Sequence, residues 1–291
     1  EKVPVPLKFF NTLTRQVDDL VPVRAGRVGI YACGPSLDGP ADLGLCRRMV
    51  VTDLVRRNVE LRGFEVKLAI NLADIDDRTV NQCLQEGARL AEFAAGWEAA
   101  FHADMAALNV LPAHAYPKAS EHVGDMVEMT RRLLDKGLAY EKLRSVYFNI
   151  SRYPDYGKLS GADLNAIQCG KTVDFDYYEK DNPRDFTLFK RASLAELKAG
   201  IYWPTPWGNV RPGWHVECAT MATGVLGQPF DIHLASHDLI FPHGDNEIAV
   251  AEGLTGQPLA RMWLHSEVVM HQGRKVSRTL GNDLTLRDLL A

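Results

Sequence analysis

Residues 28–71, VGIYACGPSLDGPADLGLCRRMVVTDLVRRNVELRGFEVKLAIN, carry the pattern on which the fold turns. The run VGIYAC (28–33) is apolar and rich in strand formers, and Gly34-Pro35 breaks it, so it reads as a buried strand ending in a loop. From Leu43 the apolar residues Leu43, Met49, Val50, Leu54, Val59 and Leu61 recur with helical spacing. Arg47, Arg48, Arg56 and Arg57 fall between them, which predicts a helix that ends near Gly63. A second strand, EVKLAIN (65–71), follows. Strand, helix and strand within about 45 residues is the size of a parallel crossover unit, so an open α/β sheet is expected.

Outward from this unit, helical stretches are expected from about Arg89 to Leu108 and from about Ser120 to Lys136, with Pro112 and Pro117 between them and Gly137 as a stop. Between Tyr140 and Trp207 the pattern changes to short strand-like pieces, SVYFNI (145–150) and KTVDFDYYEK (171–180), interleaved with aromatics, prolines and glycines. This reads as an inserted subdomain. Helical and strand signals resume at 214–225, 230–234, 246–254 and 263–270. No internal repeat is visible, which excludes a solenoid.

Composition narrows the classes. With 291 residues, 46% hydrophobic and 24% charged, the chain has ordinary globular values, so global disorder and a long coiled coil are excluded. A formal charge of −4, from 33 Lys+Arg against 37 Asp+Glu, argues against holding nucleic acid by bulk positive charge. The five cysteines, at 33, 46, 83, 169 and 218, are odd in number and scattered, which suits thiol or metal chemistry in a reducing compartment rather than a disulfide framework. No apolar run reaches the roughly 18 to 20 residues that cross a bilayer, and the N-terminus lacks a signal-peptide pattern. A cytoplasmic protein without a membrane partner is expected.

Three segments stand out by residue type: YACGP around Cys33, GWHVEC ending at Cys218, and FPHGDNE with His243 and Glu247. If 245–254 is a helix, His243 and Glu247 are four apart near its N-terminal edge and can converge on one point. Two thiolates, an imidazole and a carboxylate make a four-coordinate zinc set. Against this, the ligands come from three distant places, and a lone cysteine is most often a small buried hydrophobe, the reading taken for Cys46, Cys83 and Cys169.

The segments YACGPS, NLADIDDR, YGKLSG, DFTLFK, RPGWHVECATM, FDIHLASHDLIFPHGDNE and KVSRTLGN together resemble cysteinyl-tRNA synthetases, in order and across nearly the whole chain. The resemblance implies a class I synthetase core: a Rossmann-type parallel sheet split by a connective insertion. It divides the chain into a first half of the core (1–118), the insertion (119–208), the second half (209–270), and a signature loop with the start of a stem-contact-like segment (271–291). It further implies a zinc ion on Cys33, Cys218, His243 and Glu247 that binds the thiolate of the substrate cysteine. Trp214 matches a tryptophan beside the bound amino acid, with a core aromatic as the alternative. Asp238 matches an acidic residue that holds the substrate amino group or the ribose, with a cap or loop residue as the alternative.

The nucleotide half departs from the family pattern. The HIGH-type signature aligns with Asp42, Leu43, Gly44 and Leu45, so both histidines are replaced, while Gly34 and Gly44 still allow close approach of ATP to the backbone. Losing one preorganised donor typically costs about 2.7 to 4 kcal/mol of transition-state stabilisation. A carboxylate about 4 Å from a phosphate oxygen adds a repulsion of roughly 4 kcal/mol at an effective dielectric of about 20. Asp42 is therefore expected to pair with Arg47, Arg48 or Lys275, to coordinate magnesium, or, the reading preferred, to cap the following helix and leave a remodelled phosphate site. The KMSKS-type loop reads KVSRT, with Lys275, Ser277 and Arg278 placed to neutralise pyrophosphate, or else a surface-charged segment. Ala73, Gly244-Asp245 and LASHDL are further departures around the cysteine pocket.

Two functions follow as expectations. One is a zinc-dependent ligase core that activates cysteine, or a close analogue, with ATP and magnesium to an aminoacyl-adenylate. Its acceptor would be a tRNA end, a small amine or a carrier protein, as in the cysteine ligases of mycothiol synthesis. The other is a non-catalytic relative that keeps the metal pocket as a cysteine- or partner-binding module. Because the sequence stops at Ala291, soon after KVSRT, no anticodon-reading domain is expected within it.

Overall fold

A computed structural model describes residues 6–163 and 180–291; Cys169 and most of KTVDFDYYEK lie outside the described residues. A short antiparallel hairpin, β1 (Lys8–Asn11) and β2 (Gln16–Asp19), precedes the crossover unit. That unit is β3 (Arg27–Ala32), α1 (Leu43–Leu61) and β4 (Glu65–Ile70), with β3 and β4 parallel. Three helices follow: α2 (Asp77–Glu86), α3 (Leu90–Ala107) and α4 (Val123–Asp135). The hairpin and α2 were not foreseen from sequence. In α2 only Thr79, Val80 and Cys83 are buried, so its apolar stripe is too thin to register, and its ends rest on local chemistry. The Asp76 carboxylate accepts from Thr79 N at 2.9 Å, and Gly87 closes the other end in the left-handed region.

An antiparallel sheet occupies the middle of the chain. Its strands are β5 (Ala139–Lys142), β6 (Ser145–Phe148), β7 (Phe186–Arg191), β8 (Trp203–Thr205) and β9 (Gly208–Pro212), in the order β5-β6-β7-β9-β8. The short helix α5 (Leu194–Ala199) lies between β7 and β8. The chain then returns through α6 (Trp214–Leu226), β10 (Phe230–Ser236), α7 (Asp245–Thr255) and β11 (Ala260–Ser266). It ends in a small ribbon, β12 (Met270–His271) with β13 (Arg274–Lys275), and α8 (Leu286–Leu290).

The parallel sheet has the order β11-β10-β3-β4. Outside β4 runs the extended segment 113–118, bridged in parallel at Ala69–Ala115 and Leu72–Lys118. Counted along the chain this is the order 3-2-1-4-5 of nucleotide-binding α/β folds, which reverses between β3 and β10. Both faces are covered, as a parallel sheet requires. On one side Cys46, Met49 and Val59 of α1 and Phe101 and Met105 of α3 pack with Ile30, Leu68 and Ile232. On the other, Val216, Ala219 and Ala222 of α6 and Ile248 and Ala251 of α7 form a core continuous with α4 and with Phe148, Phe186 and Phe189 of the antiparallel sheet.

One buried cation ties the two sheets together. Arg211 of β9 donates to Glu196 Oε1 at 2.6 Å, to the Ile75 carbonyl at 2.9 Å and to Asp77 Oδ1 at 2.6 Å, where Lys190 of β7 also pairs. Among the described residues no helix is long and apolar enough to cross a membrane.

Candidate metal and nucleotide site

The strand order reverses between β3 and β10, so the ends of these strands splay and open a crevice at their C-termini. Cys33 and Gly34 leave the end of β3, and Asp238 follows the end of β10. Gly34 is pressed onto the end of β4: a Cβ there would lie 1.8 Å from the Asn71 carbonyl oxygen, and its N–H donates to Asn71 Oδ1 at 2.9 Å. Gly213 does the same for α6, because a Cβ would lie 2.3 Å from the Thr187 carbonyl oxygen. That contact fixes where α6 begins, and with it Trp214 and, one turn on, Cys218.

Cys33, Cys218, His243 and Glu247 come together at the base of the crevice, all buried, with their ligand atoms within 4.8 Å of one another. His243 Nε2 lies 2.5 Å from Glu247 Oε1 yet makes no hydrogen bond of acceptable geometry, and Cys33 Sγ is 3.8 Å from the same oxygen. Four donor types crowded on one point, with His243 Nε2 left without a hydrogen bond and Cys33 only in a long contact to Glu247, fit a shared cation. Two thiols, an imidazole and a carboxylate are zinc donors, so the residues present fit that ion.

The surroundings orient the donors. His215 Nδ1 and His243 Nδ1 are 2.9 Å apart, so one must donate and the other accept. Burial, and then the neighbouring His243, hold the His215 imidazole well below its ordinary pKa and keep it neutral. With His215 accepting the Nδ1 proton of His243, a metal that displaces the Nε2 proton would find the His243 Nε2 lone pair aimed at it. Trp214 stacks on the His243 ring at 4.0 Å and an interplanar angle of 19°. On the far side His233 Nε2 donates to Glu247 Oε2 at 2.6 Å, while its ring stacks on Trp263 at 4.1 Å. Burial opposes a charge on His233, but the Glu247 carboxylate outweighs it and raises the pKa to about 10. Glu247 is also buried and is nonetheless held well below the usual carboxylate range by His233 and His243. The two thiols divide in the same way: a hydrogen bond from Cys218 lowers Cys33 well below the usual thiol value, and the same bond raises Cys218.

Above the cluster lies a cavity of about 410 Å³. Gly34, Asp42, Gly44, Trp214, Asp238, His243, Lys275, Ser277 and Arg278, all singled out in the sequence, line it. Cys33, Cys218 and Glu247 lie beneath. Asp42 is the N-cap of α1, its Oδ1 accepting from Leu45 N at 2.8 Å. Lys275 pairs with Asp238. Arg278 pairs with Asp38 at 2.7 Å and donates to the Pro40 carbonyl at 2.5 Å. The two cations of KVSRT thus rest on carboxylates of the crevice wall. Beyond that loop the chain is stitched back to the start of α1, with Leu43 N donating to Leu284 O at 2.8 Å and Leu286 N to Ala41 O at 3.1 Å.

Sequence reasoning missed several groups. Asp38, Arg48, Arg78 and His215 line the cavity, and His233 supports Glu247, but their partners come from distant segments and no spacing announces them. His237, the additional imidazole of LASHDL, is exposed, 3.8 Å from Glu267, and outside the cluster.

Residues 19–291 match the family described as tRNA synthetases class I (C) catalytic domain. The chain is 44% identical over 284 residues to a cysteine–tRNA ligase of Methanosarcina mazei, covering 98% of this chain and 60% of that protein. It is 43% identical over 284 residues to a cysteine–tRNA ligase of Thermococcus onnurineus, covering 98% of this chain and 59% of that protein. The chain therefore spans about three fifths of the length of these relatives. Among solved structures, a Mycobacterium tuberculosis methionyl-tRNA synthetase in complex with methionyl-adenylate superposes with a TM-score of 0.67 at 15% identity, over 91% of this chain and 61% of that one. The last likeness is one of fold.

Proposed function

Because the chain belongs to the family of class I tRNA synthetase catalytic domains, we propose that it is a zinc-dependent, cysteinyl-tRNA-synthetase-like ligase core. It would bind cysteine and activate it with ATP to an aminoacyl-adenylate, for transfer to a tRNA end or to a non-tRNA amine or carrier. The observation that carries this reading is the convergence of Cys33, Cys218, His243 and Glu247 at the base of the cavity lined by KVSRT. On this reading residues 1–118 and 209–270 are the two halves of the core, 119–208 its insertion and 271–291 the signature loop with a stem-contact start. A cytoplasmic location goes with it.

A zinc ion held by the four residues would supply a Lewis acid that ionises a thiol near neutral pH and prefers it to a hydroxyl. Trp214, stacked on His243, walls the thiol end of the substrate. Gly34 and Gly44 leave backbone room for the nucleotide, and Asp238 faces the ribose or the substrate amino group. A carboxylate oxygen of the substrate attacks the α-phosphorus in line, forming the acyl phosphate bond as the bond to pyrophosphate breaks, with no protein nucleophile. Lys275, Ser277 and Arg278, with magnesium, take up the charge of the leaving pyrophosphate. To do so, Lys275 exchanges Asp238, and Arg278 exchanges Asp38, for phosphate oxygens.

Cysteine-dependent ATP–pyrophosphate exchange tests the proposal. Exchange with cysteine and none with serine is the expected result. A second reading, a cysteine-binding module without ATP chemistry, is favoured by one observation: Asp42 and Leu45 stand where the two signature histidines would be, and Asp42 is committed to its cap. Metal and cysteine binding with no exchange at high protein concentration would select that reading.

A further inference from the structure

Four cationic side chains line the cavity: Arg48, Arg78, Lys275 and Arg278. Three are neutralised in place. Arg78 and Arg278 share Asp38, and Lys275 holds Asp238. Arg48 has no carboxylate partner among the described residues. Its Nη2 donates to the Gly34 carbonyl at 3.0 Å and its Nη1 to Ser236 Oγ at 3.4 Å, so the guanidinium spans the ends of β3 and β10 at the mouth of the crevice. Its Nε is buried and has no hydrogen-bond partner. Asp238 is the nearest compensating charge, reached only through Ser236 Oγ, and a buried N–H left unpaired on such a cation is costly unless a ligand completes it.

The position narrows the ligand. Gly34, whose carbonyl Arg48 holds, directly follows Cys33 of the metal cluster, and Arg48 shares the cavity with Trp214 and His243. A group reaching Arg48 from the cluster is therefore the far end of a small thiol. The guanidinium itself attracts an anion and repels an ammonium, while Asp238, which accepts from Ser236 Oγ at 2.6 Å, is left for the amino group. Resting on the zinc–thiol reading above, we infer that Arg48 anchors the carboxylate of the substrate, so that the pocket recognises a mercapto-carboxylate by its two ends. A guanidinium suits this role because its planar donors match a carboxylate, and holding one oxygen leaves the other free to attack phosphorus.

Calorimetric titration of the zinc-loaded protein with cysteine, 3-mercaptopropionate (thiol and carboxylate) and cysteamine (thiol and amine) tests this. The expected order places 3-mercaptopropionate within about tenfold of cysteine, and cysteamine weaker by roughly 10- to 100-fold, the range of a charge-assisted hydrogen bond. Arg48→Ala should weaken the two carboxylates by that factor and leave cysteamine unchanged, while Arg48→Lys keeps part of the preference. Cysteamine serves as the internal control for a folded metal site in each variant. Equal binding of cysteamine and cysteine, or a uniform loss of all three thiols in Arg48→Ala, would overturn the anchor alone. So would weakened AMP or pyrophosphate binding in Arg48→Ala with the thiol series unchanged, which would make the anion a phosphate. Failure of every thiol to bind would overturn the zinc–thiol reading and the anchor with it.

Discussion

Replacing Cys218 with serine leaves a hydroxyl where a soft donor stood, and zinc content measured by elemental analysis should fall from about one equivalent to a small fraction of that. Retention of a full equivalent would remove Cys218 from the ligand set. His215 acts one step further out. It accepts the Nδ1 proton of His243, so His215→Ala should loosen zinc by about 10- to 100-fold in a chelator competition without removing a ligand. The four residues stood out in the sequence by type, with His243 and Glu247 four apart, but only the family resemblance joined positions from three distant segments into one set. His215, His233 and Arg48 were not, since each acts through a side chain or carbonyl that the fold brings from another segment.

Helix α1 links the fold to the segment read from the resemblance as a departed nucleotide signature. Asp42 caps it, and Asp42→Ala should cost about 0.5–2 kcal/mol in urea denaturation. Asp42→Asn keeps an acceptor for Leu45 N and removes the charge. It should hold stability within about 0.5 kcal/mol of the parent, and should raise pyrophosphate exchange if the carboxylate repels phosphate. A stability loss equal to that of the alanine variant would show that charge, not the cap, matters at this position. The elements of the parallel sheet were readable because β3, β4 and β10 are short apolar runs closed by turns or helices. The strand-like segment 113–118 was hidden by Pro112 and Pro117, which read as punctuation although Ala115 and Pro117 still lend carbonyls to Ile70 N and Leu72 N. α2 was hidden by its polarity.

For the molecule as a whole, the joint between the sheets is electrostatic as well as apolar. Arg211 is 3% exposed and its partner Glu196 7%, so Arg211→Met strands a buried carboxylate and should destabilise the protein by about 3–5 kcal/mol. A change below about 1 kcal/mol in chemical denaturation would mean that Glu196 finds another partner or a proton. Metal removal is the second global test. On the proposed reading one ion would hold four donors drawn from the end of β3, α6, the turn before α7 and α7 itself, so a chelator should lower the melting temperature and added zinc restore it. The antiparallel sheet was visible in outline from its aromatics. Its strand order was not, because pairing between β7 and β9 spans the intervening helix α5 and strand β8, which no periodicity encodes.

The stitch between residues 41–43 and 284–286 sets the mechanics of the cavity rim. The stretch that carries KVSRT leaves β11 at Ser266 and is pinned again at Thr285, beside the Asp42 cap. It is therefore an arch with both feet anchored, not a flap on one hinge. Such a rim can bow outward to admit a nucleotide and settle back, but it cannot swing clear of the crevice without first unfastening the start of α1.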